Sequence, residues 1–554
     1  MRAADLLWLL AVAAGAFLRL HQLRDQVLVD DEWHALHTLL AHGPWDVLLS
    51  FGATDHSIPL TLWDMLLERT VGLTELGMRL PSLAAGLAAL VVVPGLVRPL
   101  VGAATATTLA WLLAIAPLHV FFSRLARPYE PATLLAFVAL VGLLRTTDER
   151  TPRGLRTAAL VSALLAPWLL PVVLPAVATA LGLATLSALA RRPDAIRTSR
   201  VAEARTRRSA LVGLGVVAAG WLVLLGAPLV ADAGALAQKA GRGAIERATL
   251  AGASELLLGT TSPVLRAACA VAASVGALVV VRRAPRLAAW GGAAVLAQLA
   301  ALGAVAPHGI RFPIVFARYA LVTSPFLLLA IAAGADAAGE LLAGRTRSAM
   351  RAAPALLLGT LLAALGPLPW ILASPNDFTN HASYQADYDA ARYFERFRPA
   401  SVSAFYDGLA ERPPGTVTVV EAPWYYYWHG LAWLQRRHRQ HVVVGFVDEG
   451  TGAVRVGEVP RARTGIRLRN ALHVADADAL QARGVDYVIL HHDAFAEMRV
   501  PFDDARVDVG DAMAACRRAF GEPVFEDGTI TVFAVRGQEI SGPPGRLPYL
   551  DTCA

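Results

Sequence analysis

Eleven mostly apolar runs, each roughly 17–25 residues, occupy the first two thirds of this chain, near 5–23, 79–97, 102–122, 129–145, 155–170, 172–190, 209–230, 263–281, 287–306, 316–338 and 353–373. A run of that length spans a bilayer as a helix, because only a helix satisfies every backbone N–H and C=O within one segment. The composition agrees: 55% of the 554 residues are hydrophobic and 17% charged, with a mean hydropathy of +0.48. A soluble chain of this size carries more charge. The pair of runs around Pro171 reads either as two short helices or as one broken helix. The first run has small residues at Ala13-Ala14-Gly15, as a signal peptide would, but the many spans that follow make it an uncleaved first helix.

The loops set the orientation. With Arg2 inside, the loops on that side hold Arg98; Arg145, Arg150, Arg153 and Arg156; the block from Arg191 to Arg208; Arg282, Arg283 and Arg286; and Arg345, Arg347 and Arg351. The opposite loops, including 24–78, 123–128, 232–262 and 307–315, are sparser in Arg. This is the positive-inside pattern, with the N-terminus cytoplasmic and the tail beyond 373 outside. The net charge of +6 is therefore spent on topology, and no nucleic-acid partner is expected. We expect a multi-pass protein of the bacterial cytoplasmic membrane, with membrane lipid as a constant partner.

After residue 373 the pattern changes. TVTVVEA, HVVVGFV, VDYVILH and ITVFAV read as short buried strands, with helical stretches near 424–438, 476–483 and 509–519. The expected architecture is thus a polytopic α-helical membrane domain over 1–373, a linker over 374–400, and a small extracytoplasmic α/β domain over 401–554. Cys269, Cys516 and Cys553 have no metal spacing; Cys516 and Cys553 are open to pairing if the tail faces an oxidising compartment. The aromatic and then basic stretch WYYYWHGLAWLQRRHRQ (Trp424 to Gln440) reads as core plus a solvated face, or as a surface for sugar or headgroups. No Walker loop, GxSxG elbow or HExxH is present, which argues against ATP-driven transport and the commonest hydrolases.

The longest and most polar loop of the membrane domain, 24–78, opens with VDDEWHALHTLL and continues through GPWDVLLS and ATDHSIPLTLWDMLLE. Trp33, Leu36, Leu39 and Leu40 share one side of a helix, so the loop reads as helices lying in the interface plane, with Trp33, Trp45 and Trp63 at that depth. Asp30 suits a helix cap, or a contact to substrate. Asp31 and Glu32 stand where a carboxylate at membrane depth is costly and hence a functional candidate. Glu32 either orients Asp31 or faces water. His34, His37 and His56 beside these acids include metal-ligand types, but without a zinc signature; a loosely held Mg or Mn ion bridging an Asp and a phosphate is the more natural divalent option, and the sequence fixes no cofactor.

The acidic pair after the first helix resembles the first external loop of GT-C membrane glycosyltransferases, above all the group of protein O-mannosyltransferases and lipid A aminoarabinose transferases (the glycosyltransferase family 39-like group). DHSIPL (Asp55 to Leu60) resembles that group's HPPL-type segment, with Ser57-Ile58 in place of its proline. MRLPSLAAG (Met78 to Gly86) resembles its RLPS element, SRLARPYEP (Ser123 to Pro131) its ARPY element, and ARYALVTSPFLLL (Ala317 to Leu329) a late helix opening on Arg-Tyr.

The resemblance implies a sugar donor on a polyprenyl phosphate and an envelope acceptor (lipid, polysaccharide or protein). Asp31 would be the base, with Glu32 and His56 catalytic beside it. Asp30, Asp55, Arg79, Arg127, Tyr129, Glu130, Arg318 and Tyr319 would bind substrate or phosphate. The chemistry fits: a carboxylate takes the proton of an attacking hydroxyl, and Arg forks neutralise a phosphate leaving group. The ordinary alternatives are snorkelling arginines and, for Glu130, a solvated loop carboxylate. Two other functions stand beside this one. They are a transporter or flippase of lipid-linked sugars, which would place its charges near the midplane, and a non-catalytic scaffold with an external binding domain.

Overall fold

The computed structural model describes residues 3–21, 23, 32, 43–51, 57–71, 74–146, 151–190, 200–234, 245–307, 310–343, 352–369, 402–422, 434, 437–446, 472–473, 475–482, 484–492 and 509–535. In chain order the membrane part comprises α1 (Ala3–Leu20), α2 (Pro44–Leu49), α3 (Ile58–Thr70), α4 (Glu75–Val101), α5 (Ala103–Ile115), α6 (Pro117–Ser123), α7 (Tyr129–Thr146), α8 (Arg153–Leu169) and α9 (Leu174–Ala190). It continues with α10 (Arg200–Leu224), α11 (Gly226–Ala231), α12 (Arg247–Leu258), α13 (Pro263–Arg283), α14 (Pro285–Val305), α15 (Pro313–Ala320), α16 (Ser324–Ala343) and α17 (Ala353–Leu365).

Every one of the eleven expected spans overlaps a helix, but the count of eleven is not reached by the helices themselves. Among the described residues, seven are long and apolar enough to cross a membrane, or eight if a bent pair is one span. Of the others, α17 has 13 residues, which at about 1.5 Å each is well short of a core of about 30 Å, and α8 with 17 stands at the lower limit of span length. The bent pair is α5 and α6, which meet at 60° where one span was expected. Pro117, first residue of α6, has no N–H to continue the ladder and its ring would clash with the preceding turn. Pro171 likewise separates two helices: α8 stops at Leu169 and a 3₁₀ turn, Pro171–Val173, leads into α9.

Outward-facing positions of these helices carry large apolar side chains, as with Leu222, Val223, Val230, Val264 and Leu341, all strongly exposed. Inside, small residues let helices touch. A Cβ on Gly276 of α13 would stand 1.7 Å from the Ala330 carbonyl oxygen, and one on Gly334 of α16 would stand 1.9 Å from that of Ala272. The two backbones are in direct contact, the approach that small residues permit in membrane helices.

The C-terminal part forms a six-stranded sheet: β1 (Thr418–Ala422), β2 (His441–Phe446), β3 (Leu472–His473), β4 (Tyr487–His491), β5 (Phe525–Glu526) and β6 (Ile530–Ala534), in the order β3-β2-β1-β4-β6-β5. β1 through β4 run parallel, while β6 is antiparallel to β4 and to β5. Helices α18 (Ala404–Ala410), α19 (Ala477–Ala482) and α20 (Val509–Phe520) accompany the sheet. β1 is buried along its whole length, as parallel strands covered on both faces are. Val420 and Ala422 pack with α20 on one face, and Val419 with Tyr406 and Leu409 of α18 on the other. The four strands correspond to the four apolar runs of the sequence, whereas β3 and β5, two residues each, are too short to show a period. The expected linker 374–400 lies outside the described residues, as does most of 424–438. Cys516 is buried on the core side of α20, and Cys553, the other cysteine of the expected pair, lies outside the described residues.

Candidate active site

The motifs singled out in the sequence meet one another. Glu32 and Arg79 are both fully buried. Arg79, one turn into α4, donates Nε–H to Glu32 Oε1 at 2.8 Å and an Nη2 hydrogen to Oε2 at 2.6 Å. The backbone N–H of Ala126 also donates to Glu32 Oε1, at 2.8 Å. One carboxylate thus ties the first external loop to α4 and to the ARPY segment. The pairing bears on two expectations. Glu32 does not face water, and the Nε/Nη2 side of the Arg79 fork is committed to it.

RLPS and ARPY are joined a second time, where Ser82 Oγ–H donates to the Arg127 carbonyl at 2.8 Å. Further along α4, a Cβ at Gly86 would stand 2.0 Å from Ser123 Oγ. Only glycine admits that approach. Ser123 in turn accepts from Arg19 Nε at 3.1 Å. Arg19, wholly buried at the end of α1, donates three more hydrogens to the carbonyls of Gly15, Ala114 and Leu113. Arg124 caps the end of the same helix through the Leu18 carbonyl.

ARPY also meets the Arg-Tyr of α15. The Tyr129 ring has the Arg127 guanidinium 5.9 Å from its centroid and that of Arg318 at 5.6 Å. Arg318 lies 5.2 Å from the ring of Tyr319, and the two tyrosine rings are 6.4 Å apart. Two cations 191 positions apart in sequence are gathered around one aromatic ring. Arg79 and Arg127 are buried, so the snorkelling alternative does not describe them.

Glu130 is 1% exposed, which overturns the solvated-loop alternative. Its Oε2 lies 2.8 Å from His119 Nδ1, and His119 Nε2 lies 2.7 Å from Ser324 Oγ. Ser324 Oγ–H is committed to the Leu321 carbonyl, so Nε2–H donates to the serine. Glu130 is therefore held in place by His119 at the start of α7. Asp64, in α3, is buried, and burial together with the nearby Glu32 charge raises its carboxyl well above the usual range.

Asp30, Asp31, Asp55 and His56 lie outside the described residues, as do His34 and His37. Among the described residues no group of three His, Cys, Asp or Glu is placed to hold a metal ion. Glu32 and Glu130 are engaged by Arg79 and His119. Asp31, the carboxylate expected to bridge a loosely held cation and a phosphate, lies outside the described residues.

Sequence reasoning missed Arg19, Arg124, His119, Ser324 and Asp64. Two signals were available: Arg124 sits inside the quoted SRLARPYEP, and Arg19 and His119 are polar residues inside apolar runs, where such residues call for a partner.

No family model matches the sequence, and no curated protein matches it. The fold does have counterparts. ArnT from Cupriavidus metallidurans in the apo state superimposes with a TM-score of 0.51 at 16% identity, covering 96% of this chain and 98% of that one. The same enzyme bound to undecaprenyl phosphate gives 0.50 at 14%, covering 98% and 100%. A weaker likeness, with a TM-score of 0.43 at 15% identity, links 96% of this chain to 42% of the arabinofuranosyltransferase AftD from Mycobacteria. The chain shares the fold of the ArnT structures along nearly its whole length, as the motif resemblance implied.

Proposed function

We propose that this protein is a glycosyltransferase of the bacterial cytoplasmic membrane, moving a sugar from a polyprenyl-phosphate donor to an acceptor of the cell envelope. The reading places the N-terminus inside and the C-terminal domain outside. The observation that carries it is the convergence of three sequence-distant motifs: Glu32 of the acidic pair, Arg79 of RLPS and Ala126 of ARPY share one buried carboxylate, while Arg127 and Arg318 share the ring of Tyr129.

Asp31 precedes Glu32 directly in the chain, and Glu32 is anchored on three hydrogen bonds. In this reading Glu32 is a positioning residue and Asp31 the base. An acceptor oxygen attacks the anomeric carbon while its proton passes to the Asp31 carboxylate. The bond from that carbon to the phosphate oxygen breaks, and its electron pair stays on the lipid phosphate. Arg127 and Arg318, gathered on one ring, are the cations that take up that charge in this reading. Arg79 builds the wall that holds Glu32. The cradle is charged at one end of the helices and not at mid-span, which supports transfer over transport.

The test is Asp31→Asn in purified, reconstituted protein. Loss of sugar transfer from a radiolabelled polyprenyl-phosphate sugar, with an unchanged melting profile, is the expected result. Transfer at the wild-type rate in that variant would remove Asp31 from the chemistry.

A further inference from the structure

The C-terminal sheet carries a polar cluster that the membrane site does not use. Its strand order changes direction beside β1: β2 and β3 build outward on one side, and β4 returns to the other, with all four strands parallel. Open α/β sheets bind ligands beyond the carboxyl ends of their strands at such a reversal. Glu421 is the penultimate residue of β1 and His491 the last of β4, so both stand at that edge. With Tyr406 of α18 and His438 they form one buried group, none more than 7% exposed.

Glu421 Oε2 accepts from the Tyr406 hydroxyl at 2.8 Å and is in contact with His491 Nε2. Its Oε1 is buried without a hydrogen-bond partner. His438 stacks on Tyr406, ring centroids 5.7 Å apart. The backbone N–H of Gln440 donates to His438 Nδ1 at 3.0 Å, which leaves the ring hydrogen on Nε2. That Nε2–H is also buried and unpartnered. Burial, partly offset by the Glu421 charge, brings His438 down to about 4, so the ring is neutral. The cluster therefore holds one acceptor and one donor, each costly to leave unmatched.

A metal is excluded at His438 Nε2 because the nitrogen that would bind it carries hydrogen. An anion would meet Glu421, and a cation would meet an N–H. A hydroxyl answers both, accepting from His438 and donating to Glu421. We propose that the carboxyl edge of β1 and β4 is a second binding site for a neutral carbohydrate, one hydroxyl of which bridges His438 Nε2 and Glu421 Oε1. The carbohydrate class rests on the glycosyltransferase reading above; the hydroxyl chemistry stands on the cluster alone.

The test uses the full-length protein in nanodiscs, with methyl α-D-mannopyranoside and L-arabinose as probes. Saturation-transfer NMR reads binding, and hydrogen–deuterium exchange of peptides holding 418–422 and 487–491 reads its place. The proposal expects one of the sugars to show transfer and to protect both peptides. Glu421→Gln, whose single remaining oxygen is claimed by Tyr406, and His438→Phe each weaken binding about tenfold or more. Asp31→Asn leaves the protection intact. Wild-type protein with neither transfer nor protection of these peptides would overturn the site and leave a structural water as the bridge. This arm needs no variant to fold. Binding that survives in Glu421→Gln and His438→Phe, or that vanishes only in Asp31→Asn, also overturns it. Full transferase activity in Asp31→Asn together with intact protection would instead sink the membrane mechanism and keep this site.

Discussion

Glu32 and Arg79, 47 residues apart, close a two-pronged ion pair from which water is fully excluded. A buried pair of this kind contributes little net stability of its own, but losing one partner strands the other charge, at about 3–5 kcal/mol. Glu32→Gln should lower the melting temperature of the detergent-solubilised protein by several degrees and abolish transfer. Glu32→Leu with Arg79→Met should recover much of the melting temperature without recovering activity. A double variant that regains activity would show that Glu32 does not position Asp31.

Arg127 and Arg318 face the same ring, so their contributions to lipid-phosphate binding are coupled. Arg318→Met should weaken binding of undecaprenyl phosphate about tenfold, the cost of one hydrogen bond to a charged group. Tyr129→Phe keeps the aromatic face and should change little, whereas Tyr129→Leu removes a cation–π contact to both arginines. Equilibrium binding of a fluorescent polyprenyl phosphate measures all three. Indifference of Arg318→Met would move the phosphate elsewhere.

The contact between α13 and α16 leaves no room for a methyl group. Gly276→Ala should force the helices apart and lower the melting temperature markedly. Gly292→Ala, at a glycine with open space around it, is the matched control and should be neutral. Equal melting temperatures for the two variants would mean that the backbone contact is not tight in solution.

Asp527 sets an acid limit for the C-terminal sheet. Burial alone would raise its carboxyl. Hydrogen bonds from the side chains of Ser403 and Thr529 and the backbone N–H groups of Thr529 and Ile530 outweigh it and bring the value down to about 2 from an ordinary 3.8. A carboxyl depressed in the folded state contributes stability that is complete above the unfolded value and lost as pH falls toward the folded one. Exchange protection of the peptide 525–534 should therefore drop between about pH 4 and 2 in the wild type. In Asp527→Asn that pH-dependent drop should be absent.

Much of this was legible in the chain. Span positions, the four long strands and the motif set each follow from local patterns: a run length, a period, a short string of residue types. The Tyr129 cluster was legible too, since Arg127, Tyr129, Arg318 and Tyr319 were all marked by their motifs, although nothing in the spacing said that they meet. The break at Pro117 was visible as a residue but not as an angle, because a proline in an apolar run is tolerated or kinked according to what packs against it. Asp30, Asp31, Asp55 and His56 remain sequence-based assignments.

By itself the sequence determined a polytopic helical protein with a strand-and-helix tail and carboxylates and arginines at one set of helix ends. These properties depend on neighbours a few positions away, which hydropathy and periodicity report. Only the tertiary structure decided which charge answers which: that Glu32 takes Arg79 and Ala126, that Glu130 takes His119, and that Glu421 and His438 each keep a buried atom unmatched. Such pairings join residues from 11 to 94 positions apart. Excluding water makes each of them consequential, because in a dry interior a charge or an N–H without its partner has nothing else to bind.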